Sequence, residues 1–487
     1  MAQTNNATLI RREIITRLCK LYIENRLEDI DRIALEMAPR NTTPVSGNRC
    51  CIHKSRAIIK YRVMALLGFN VSDETDELES LYSYALRALS HKEPEKGVLT
   101  VVDEACTSCV KSNYVVSNLC RGCLASHCMV TCPRNAITME HGQARIDPLK
   151  CVGCGLCKDA CPYHAIIYMP IPCEESCPVK AIYRNAEGVE EIDYDKCIHC
   201  GRCMVACPFG AVMYRSQIIN VLHDISRPNR QVVAMLAPAI SGQFKATYPQ
   251  IATAVKKLGF TDVFEVAAGA VATARDEAHE LKEVLEQGQQ FMTTSCCPAF
   301  VELTEKQLTG LKPYVSHTPS PMRYTADIVR QQYPDASVVF IGPCVAKQAE
   351  ARRYPGIDYV MTFEELGALM IAMNVDLQTF EATEQEEVIA ERKFAFSNGV
   401  LNSVTDYYDG PSLNPLVISG LHKKNIASLR RITTGKHDWN MIEVMACEGG
   451  CLAGPAGISS PEVARKLFNA QSGVQAEHPL INEMKQK

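Results

Sequence analysis

CVGCGLCKDACP, residues 151–162, carries four cysteines in a Cys-x2-Cys-x2-Cys-x3-Cys-Pro pattern. A second copy, CIHCGRCMVACP, occupies residues 197–208. This spacing is typical of loops in which three thiolates hold one [4Fe–4S] cubane while the fourth cysteine serves the other cluster of a pair. The alternative, a zinc site, usually has two separated Cys-x2-Cys pairs and four ligands in all. The two runs therefore predict ferredoxin-like iron–sulfur modules.

A third, looser run, CRGCLASHCMVTCP, begins at residue 120. It has two extra residues between its second and third cysteines but keeps the Cys-x3-Cys-Pro ending. It pairs naturally with the run that begins at residue 151, so we predict two cubanes on this part of the chain. Their predicted ligand sets are Cys120, Cys123, Cys128 and Cys161 for one, and Cys151, Cys154, Cys157 and Cys132 for the other.

Four cysteines of this region remain in two half-motifs, CTSC and CEESCP. Together they make one more ferredoxin run, interrupted by the whole 120–161 segment. We therefore predict an inner module, about 117–168, nested in an outer module formed by 101–116 and 169–212. The predicted ligand sets of the outer module are Cys106, Cys109, Cys173 and Cys207, and Cys197, Cys200, Cys203 and Cys177.

Composition limits the class of protein. The chain has 487 residues, which is enough for three or more domains, and 24 cysteines, of which sixteen lie in the nested region. A net charge of −4 gives no attraction to nucleic acid or to an anionic membrane. Charged residues near the N-terminus interrupt the position at which a secretory signal peptide would have its apolar core. No apolar run reaches the roughly 18 residues of a membrane-spanning helix. These patterns predict a cytoplasmic protein without a membrane span, in a compartment that favours metal ligation over disulfides.

The flanking regions differ in texture. Residues 1–100 are predicted to be a helical region, because apolar residues recur at helical spacing in three stretches. Cys50 and Cys51 lie in this region without an assigned role. Residues 213–487 alternate strand-like and helical stretches, which predicts an α/β domain with mainly parallel sheets flanked by helices. The predicted strands are QVVAMLAPA, DVFEVAA, FMTTSCC, SVVFIGPC and DYVMTF.

Three cysteine motifs lie far apart in residues 213–487: TSCCP, GPCVAKQAE and EVMACEGGC. Each follows a strand-like stretch, so their thiols can converge at strand ends. Four thiols suffice for a further [4Fe–4S] cluster, and Cys296 of the adjacent pair is then left free beside it. The four predicted ligands are Cys297, Cys344, Cys447 and Cys451.

Together with the cysteine-rich region, these motifs resemble those of the [FeFe] hydrogenases over roughly residues 100–460. The resemblance implies a two-lobed catalytic domain whose four cysteines hold a cubane, with Cys451 also bridging to a diiron centre that carries CO, cyanide and an azadithiolate bridge. This combined centre is the H-cluster. The resemblance further implies that Cys296 passes protons to the bridging amine and that Lys347 binds a cyanide ligand. The residues that match the lining of the diiron pocket or lie near it are Ala237, Pro238, Ser320 and Met445.

A proton route is the next expectation. Glu277 and Glu280 are three residues apart in EAHEL, so they share a helix face. The plain interpretation is a solvated helix face with ordinary glutamates. The resemblance instead matches them to two relay glutamates, and it matches Ser316 to the relay serine between them and the metal site.

The chain also departs from the family's commonest form. Gly342 stands where methionine usually precedes Pro-Cys, and Met322 stands where glutamine usually follows Ser-Pro. Phe300 replaces a common tryptophan, and the third motif continues as LAGPAG instead of a triple glycine. Val284 aligns with the arginine that usually ends the proton path. The pattern resembles a divergent, monomeric branch linked to ferredoxin.

The leading hypothesis is the reversible reaction 2 H⁺ + 2 e⁻ ⇌ H₂, with electrons passing through four accessory [4Fe–4S] clusters to or from a ferredoxin-like carrier. Hydrogenase maturation proteins are then expected partners, and the oligomeric state stays open. The alternatives are an iron–sulfur assembly factor without the diiron centre, a low-turnover hydrogen sensor, and a subunit of an NAD(P)H-linked complex. Cys296 and Lys347 argue against the assembly factor, which needs neither. No GxGxxG motif follows a strand, so this chain is not expected to bind the nicotinamide itself.

Overall fold

The computed structural model describes residues 5–39, 51–90, 97–106, 109, 113–185, 188–381, 390–435 and 437–475. The predicted N-terminal helices are α1 (Asn6–Ile23), α2 (Arg32–Met37), α3 (Ile52–Leu66) and α4 (Leu81–Ser90). Short 3₁₀ segments, here and later in the chain, are Leu27–Asp29, Val71–Asp73, Pro238–Gly242, Thr309–Tyr314, Leu377–Thr379, Ala390–Ala395 and Cys451–Ala453.

Two helix boundaries differ from the sequence pattern. The first predicted helical stretch, RREIITRLCKLYIENRLEDIDRIALEM, is interrupted after α1, where Asn25 adopts a φ of 54°. Asparagine tolerates this left-handed conformation, which commonly ends a helix. The last predicted helical stretch, DELESLYSYALRALSH, becomes helical only at Leu81. The backbone N–H of Leu81 donates to Asp31 Oδ1 at 3.0 Å. Cys51 precedes α3, and its thiol accepts from the Lys54 N–H at 3.4 Å, whereas Cys50 lies outside the described residues.

The cysteine-rich region consists of short strands and helices, with two strand pairs nested one inside the other. Strands β2 and β5 pair antiparallel, with Val115 opposite Ile167, and they bracket the inner segment. Strands β1 and β8 pair antiparallel around the whole region, with Thr100 opposite Met213. The elements are β1 (Leu99–Val101), α5 (Asp103–Cys106), β2 (Tyr114–Val116), α6 (His127–Val130), β3 (Ile137–Glu140), β4 (Gln143–Ile146), α7 (Leu156–Ala160), β5 (Ile166–Tyr168), α8 (Pro172–Ser176), β6 (Ile182–Arg184), β7 (Glu190–Ile192), α9 (Arg202–Ala206) and β8 (Val212–Tyr214).

The remainder is an α/β domain, which confirms the predicted fold class. Its strands form a four-stranded sheet in the order β10-β9-β12-β13 and a three-stranded sheet in the order β11-β15-β14, and every pairing within them is parallel. The elements are α10 (Ile218–Ser226), β9 (Val232–Leu236), α11 (Tyr248–Lys257), β10 (Asp262–Glu265), α12 (Val266–Glu286), β11 (Met292–Thr293), α13 (Pro298–Lys306), α14 (Pro321–Gln332), β12 (Ser337–Gly342), α15 (Ala346–Arg352), β13 (Tyr359–Thr362), α16 (Phe363–Ala372), α17 (Gly399–Tyr407), β14 (Pro415–Ser419), α18 (Lys423–Ile432), β15 (Met441–Met445) and α19 (Pro461–Gln471).

Strands β9, β12 and β15 are buried at every position. Such continuous burial is characteristic of parallel strands that are covered on both faces. The N-terminal helices join this domain, since Arg11 on α1 makes a bidentate, buried ion pair with Glu364 on α16, with both N–O distances at 2.9 Å. Of the helices that the structure describes, none is both long and apolar enough to cross a membrane.

Candidate active site

A largely apolar cavity of about 90 Å³ lies where strands of both sheets end. Four of its walls are the loops that follow β9, β11, β12 and β15, which is the edge where parallel sheets usually bind ligands. All five thiols singled out in the catalytic region line it, as do Lys347 and three of the four predicted pocket residues. These lining residues are Cys296, Cys297, Cys344, Cys447, Cys451, Lys347, Ala237, Pro238 and Met445.

Local sequence explains how the thiols reach one cavity. Cys297 is the N-cap of α13, whose first residue is the proline of TSCCP, and proline is well suited to that position. Cys447 follows β15, and the chain turns back to Cys451 through Gly450 at a φ of 87°. A Cβ on Gly450 would lie 2.5 Å from Phe396 Cα, so only glycine permits this turn.

The donor set suits a cubane. Burial raises the pKa of the Cys451 thiol to about 11 and that of Cys344 to about 12, and neighbouring cysteines add to both shifts. Lys347 opposes these shifts by favouring the thiolate form. Four thiols in an apolar cavity with one cation match the chemistry of an anionic iron–sulfur centre, whose binding must release the thiol protons.

Lys347 is held by two neighbours that the sequence analysis did not fully use. Its Nζ lies 2.6 Å from Glu350 Oε2 and 3.3 Å from Ser320 Oγ. The Ser320 hydroxyl in turn donates to Glu350 Oε1. Burial alone lowers the pKa of Lys347, but Glu350 and the surrounding thiols outweigh it, so the pKa is raised and the ammonium is retained. Ser320 therefore orients the lysine from behind the cavity wall.

The predicted proton-route residues form a line leading away from Cys296. Glu277 on α12 is fully buried and accepts the Ser295 N–H at Oε1, 3.2 Å away. Its Oε2 has no hydrogen-bond partner among the described residues. The Ser316 hydroxyl interacts with Glu277 and donates to Glu280 Oε2 at 2.6 Å. The structure thus brings the four predicted residues together.

Their environments separate the two glutamates chemically. Burial raises the pKa of Glu277 to about 8, and the nearby Glu280 contributes to that shift. Burial also acts on Glu280, but hydrogen bonds from His317, Ser316 and Thr318 outweigh it and lower its pKa. At neutral pH the inner glutamate therefore holds a proton while the outer one is ionised. Such a pair is an acid and a base three residues apart.

The cavity thiol belongs to the same line. Burial raises the pKa of Cys296 well above its usual value, and Glu277 is the second cause of that shift. The Cys296 side chain is therefore a protonated thiol at neutral pH in this setting. Val284, by contrast, packs against the apolar cluster around α12 and α17. It offers no group that could exchange a proton.

The cysteines of the nested region also converge in fours. Three further small cavities are each lined by four cysteines, and the members agree with three of the predicted ligand sets. These sets are Cys132, Cys151, Cys154 and Cys157; Cys120, Cys123, Cys128 and Cys161; and Cys106, Cys109, Cys173 and Cys207. The fourth set is Cys177, Cys197, Cys200 and Cys203; burial raises the pKa values of Cys197, Cys200 and Cys203, and the neighbouring cysteines add to each shift.

The fourth set lies directly beside the terminal cavity, which Cys200 also lines. Gly201, at a φ of 71°, allows this approach, since a Cβ there would be 2.7 Å from Pro455 Cγ and 3.1 Å from Val345 Cγ2. His199 Nδ1 is 2.8 Å from Glu302 on α13, and both side chains are buried. The contact between the two regions is therefore tight and specific.

Among the described residues, no group of three or more His, Cys, Asp or Glu side chains is arranged to hold a single metal ion. A cubane differs from such a site, because each thiolate binds a different iron atom. Two carboxylates that the sequence reasoning missed adjoin the site, the buried Glu443 and the partly buried Glu350. Glu443 on β15 accepts the N–H groups of Asn398 and Leu401, and burial raises its pKa to about 7. Glu350 ends the GPCVAKQAE motif, and that position was its only sequence signal.

The cysteine-lined cavities and the terminal thiol cavity define an iron–sulfur redox protein. Residues 144–167 and 190–213 match the family model of the 4Fe-4S binding domain. Residues 230–455, just under half of the chain, match the model described as the iron only hydrogenase large subunit, C-terminal domain. Residues 230–455 are accordingly similar to the catalytic domain of [FeFe] hydrogenases.

Individual proteins are similar to parts of the chain. The chain is 27% identical over 374 residues to iron hydrogenase 1 of Clostridium pasteurianum, a match that covers 63% of this chain and 64% of the relative. A shorter match, 28% identical over 103 residues, joins 20% of this chain to 22% of the cytosolic Fe-S cluster assembly factor NAR1 of Kluyveromyces lactis. A solved structure of the [FeFe] hydrogenase HydA(deltaEFG) aligns with 53% of this chain and 90% of its own, at 20% identity and a TM-score of 0.45.

Proposed function

We propose that this protein is an [FeFe] hydrogenase that catalyses 2 H⁺ + 2 e⁻ ⇌ H₂. The observation that carries the proposal is the terminal cavity, in which four thiols, a free fifth thiol and a lysine converge. An assembly factor has use for the four thiols alone. Cys296 and Lys347 have a clear role only if the cavity also holds a reactive centre with anionic ligands.

Cys297, Cys344, Cys447 and Cys451 would hold the H-cluster, with Cys451 as the bridging thiolate. When bound, this centre supplies the hydride chemistry and accepts the electron pair. Lys347, fixed by Glu350 and Ser320, directs its ammonium into the cavity, where it can donate to a cyanide ligand. The apolar residues Ala237, Pro238 and Met445 exclude water from the same wall.

The chain's own residues would move the proton. The Cys296 thiol acts as acid in one direction and, as thiolate, as base in the other. Glu277 is protonated at neutral pH and can reload Cys296. Ser316 can then pass a proton from Glu280 to Glu277 by exchanging its hydroxyl hydrogen. The pKa separation of the two glutamates keeps the inner site loaded.

Electrons would travel through the four cysteine sets of the nested modules as four accessory [4Fe–4S] clusters. The outer module has mostly buried cysteines and contacts the terminal cavity through Cys200, whereas Cys154 of the inner module is exposed. We place the docking site of a ferredoxin-like carrier at the inner module. There Leu149 and Val152, exposed by 89% and 61%, flank the loop that begins at Cys151.

One further class of partner and a location complete the proposal. Hydrogenase maturation proteins would supply the diiron centre, because the polypeptide itself offers only thiols and a lysine at that position. The many metal-ligand cysteines suit a reducing compartment such as the cytoplasm.

The deciding experiment is infrared spectroscopy on anaerobically matured protein, with hydrogen turnover and iron content measured on the same sample. We expect cyanide and carbonyl bands, turnover, and about 22 iron atoms per chain for four accessory cubanes and one H-cluster. Cys296→Ala should keep the bands and lose most of the turnover, since it removes the proton donor but no ligand. Unchanged turnover in that variant would refute the proton role.

The match to an assembly factor makes iron–sulfur cluster assembly the second candidate. It predicts bound cubane iron without any cyanide or carbonyl band, even after exposure to the maturation proteins. That outcome would remove the hydrogenase proposal and leave the terminal cavity with a [4Fe–4S] cluster alone.

A further inference from the structure

The mouth of the proton route is built from one short loop. Glu280 presents both carboxylate oxygens to residues 316–318, which follow the 3₁₀ segment Thr309–Tyr314. Oε2 accepts from Ser316 Oγ at 2.6 Å and from Thr318 Oγ1 at 2.8 Å. Oε1 accepts the His317 N–H at 2.8 Å and lies 3.0 Å from His317 Nδ1.

This loop supplies a side chain that can exchange protons, whereas the Val284 side chain cannot. The His317 side chain is 86% exposed, while the Glu280 side chain beside it is 19% exposed. Imidazole is the side chain whose protonation ordinarily changes near neutral pH, and its two nitrogens can serve two neighbours at once. Here Nδ1 contacts the carboxylate and the rest of the ring faces water.

We propose that His317 is the outermost proton carrier of the route, which exchanges protons between bulk water and Glu280. This inference rests on the proposed hydrogenase function and assigns a residue to its outer end. Inward, a proton from water or buffer binds the outer ring nitrogen and the Nδ1 proton passes to Glu280 Oε1. Outward, the same steps run in reverse. One proton is moved in each passage and no electron is transferred. The ring is left neutral in its other tautomer, and it returns to the starting tautomer by rotating or by exchanging its hydrogen through water, with no net gain or loss of a proton.

The charges around this mouth favour such a step. Among the described residues, Glu280 is the one ionisable side chain in ion-pair range of His317. The other charged groups nearby on α12 are Glu277, which is buried behind Ser316, and the pair His279–Glu283, whose Nδ1–Oε1 distance is 3.6 Å. The carboxylate of Glu280 thus faces an imidazole on its solvent side and a hydroxyl on its inner side.

The test is His317→Ala in the matured full chain, with His279→Ala as the matched control. His279 is also exposed and also pairs with a glutamate on α12, but within the described part of the chain its ring makes no hydrogen bond or ion pair with the Glu280 carboxylate. We expect His317→Ala to lower turnover by about a hundredfold, the lower end of the range for acid–base groups. Added imidazole should restore turnover because the position is open to solvent. His279→Ala should match the wild type with and without imidazole.

A second readout does not depend on turnover. The hydrogen bond from His317 is among the causes that lower the pKa of Glu280, so His317→Ala should raise the pH at which the Glu280 carboxyl takes up its proton. Infrared difference spectra of the carboxyl band, taken before maturation, with Glu280→Gln to identify the band, measure this shift.

The outcomes separate the inference from the function on which it rests. Wild-type turnover together with unchanged turnover in His317→Ala would overturn the inference alone. A loss that imidazole does not restore, with the Glu280 band shifted, would also overturn it, since His317 would then only position Glu280. A wild type without turnover and without cyanide bands would remove the proposed function, and this inference with it.

Discussion

Glu277→Gln should stabilise the protein and impair it at the same time. In the folded state the carboxyl has a pKa of about 8, against 4.5 when it is free. Below pH 4.5 both states are protonated and the shift has no effect on stability. As pH rises, the unfolded state loses its proton first, so the buried carboxyl costs increasing stability until pH passes 8.

The size of this cost follows from the two pKa values. With about 1.36 kcal/mol per pKa unit, the penalty is about 1 kcal/mol at pH 5, about 3 kcal/mol at pH 7 and about 5 kcal/mol at pH 9. Glutamine keeps a carbonyl oxygen for the Ser295 N–H and carries no charge. It should therefore recover most of the penalty, while turnover falls by about a hundredfold or more because the relay is cut.

The assay is thermal or denaturant unfolding of wild type and variant at pH 5, 7 and 9, paired with hydrogen turnover. Glu280→Gln is the matched control, since it lies three residues away on α12 and its pKa is lowered. Its carboxylate adds stability above its unfolded pKa, so this variant should be destabilised at neutral pH. A stability gain in Glu277→Gln that does not grow with pH would refute the reasoning.

Three other predictions concern the rest of the molecule. Cys106→Ser and Cys173→Ser should each abolish the same cubane, seen as one identical missing signal in electron paramagnetic resonance; loss of different signals would reject the nested pairing. Glu350→Gln removes the carboxylate that offsets the burial of the cavity lysine, so turnover should fall first on the alkaline side of the pH–rate profile. Arg392→Met removes the bidentate ion-pair partner of the buried Glu265, and we expect about 3–5 kcal/mol of destabilisation in unfolding experiments, whereas an unaffected protein would contradict the importance of this pair.

Much of the fold follows from local pattern. The five strands predicted from apolar runs, from β9 to β13, are all present, because buried parallel strands require continuous apolar residues. Strand β14 was missed, since PLVIS is short, begins with proline and lies among loop residues. The local sequence pattern also did not predict that α4 begins only at Leu81. Its first N–H groups are bound by Asp31, 50 residues earlier.

Part of the candidate site could likewise be predicted from the sequence, and part of it could not. The thiols were found because iron–sulfur ligation imposes a spacing that the sequence displays directly. The roles of Glu443, His317 and Glu350 depend on which groups face them across the fold. His317 and His279, for example, are both exposed histidines that the sequence does not distinguish. Only the side-chain contact of His317 with the Glu280 carboxylate distinguishes them.

The insertion of one cysteine module into another has a consequence for synthesis. The eight cysteines around the two inner cavities lie between residues 120 and 161, so the ribosome has made all of them well before the outer module is complete. The cavity that begins with Cys106 must wait for Cys207, and the terminal cavity must wait for Cys451. Because nascent chains fold from their N-terminal side, the pockets farthest from the terminal cavity become competent for iron first. During synthesis the cysteine sets of the inner module, where Cys154 is exposed, are thus completed first. The terminal cavity is completed last.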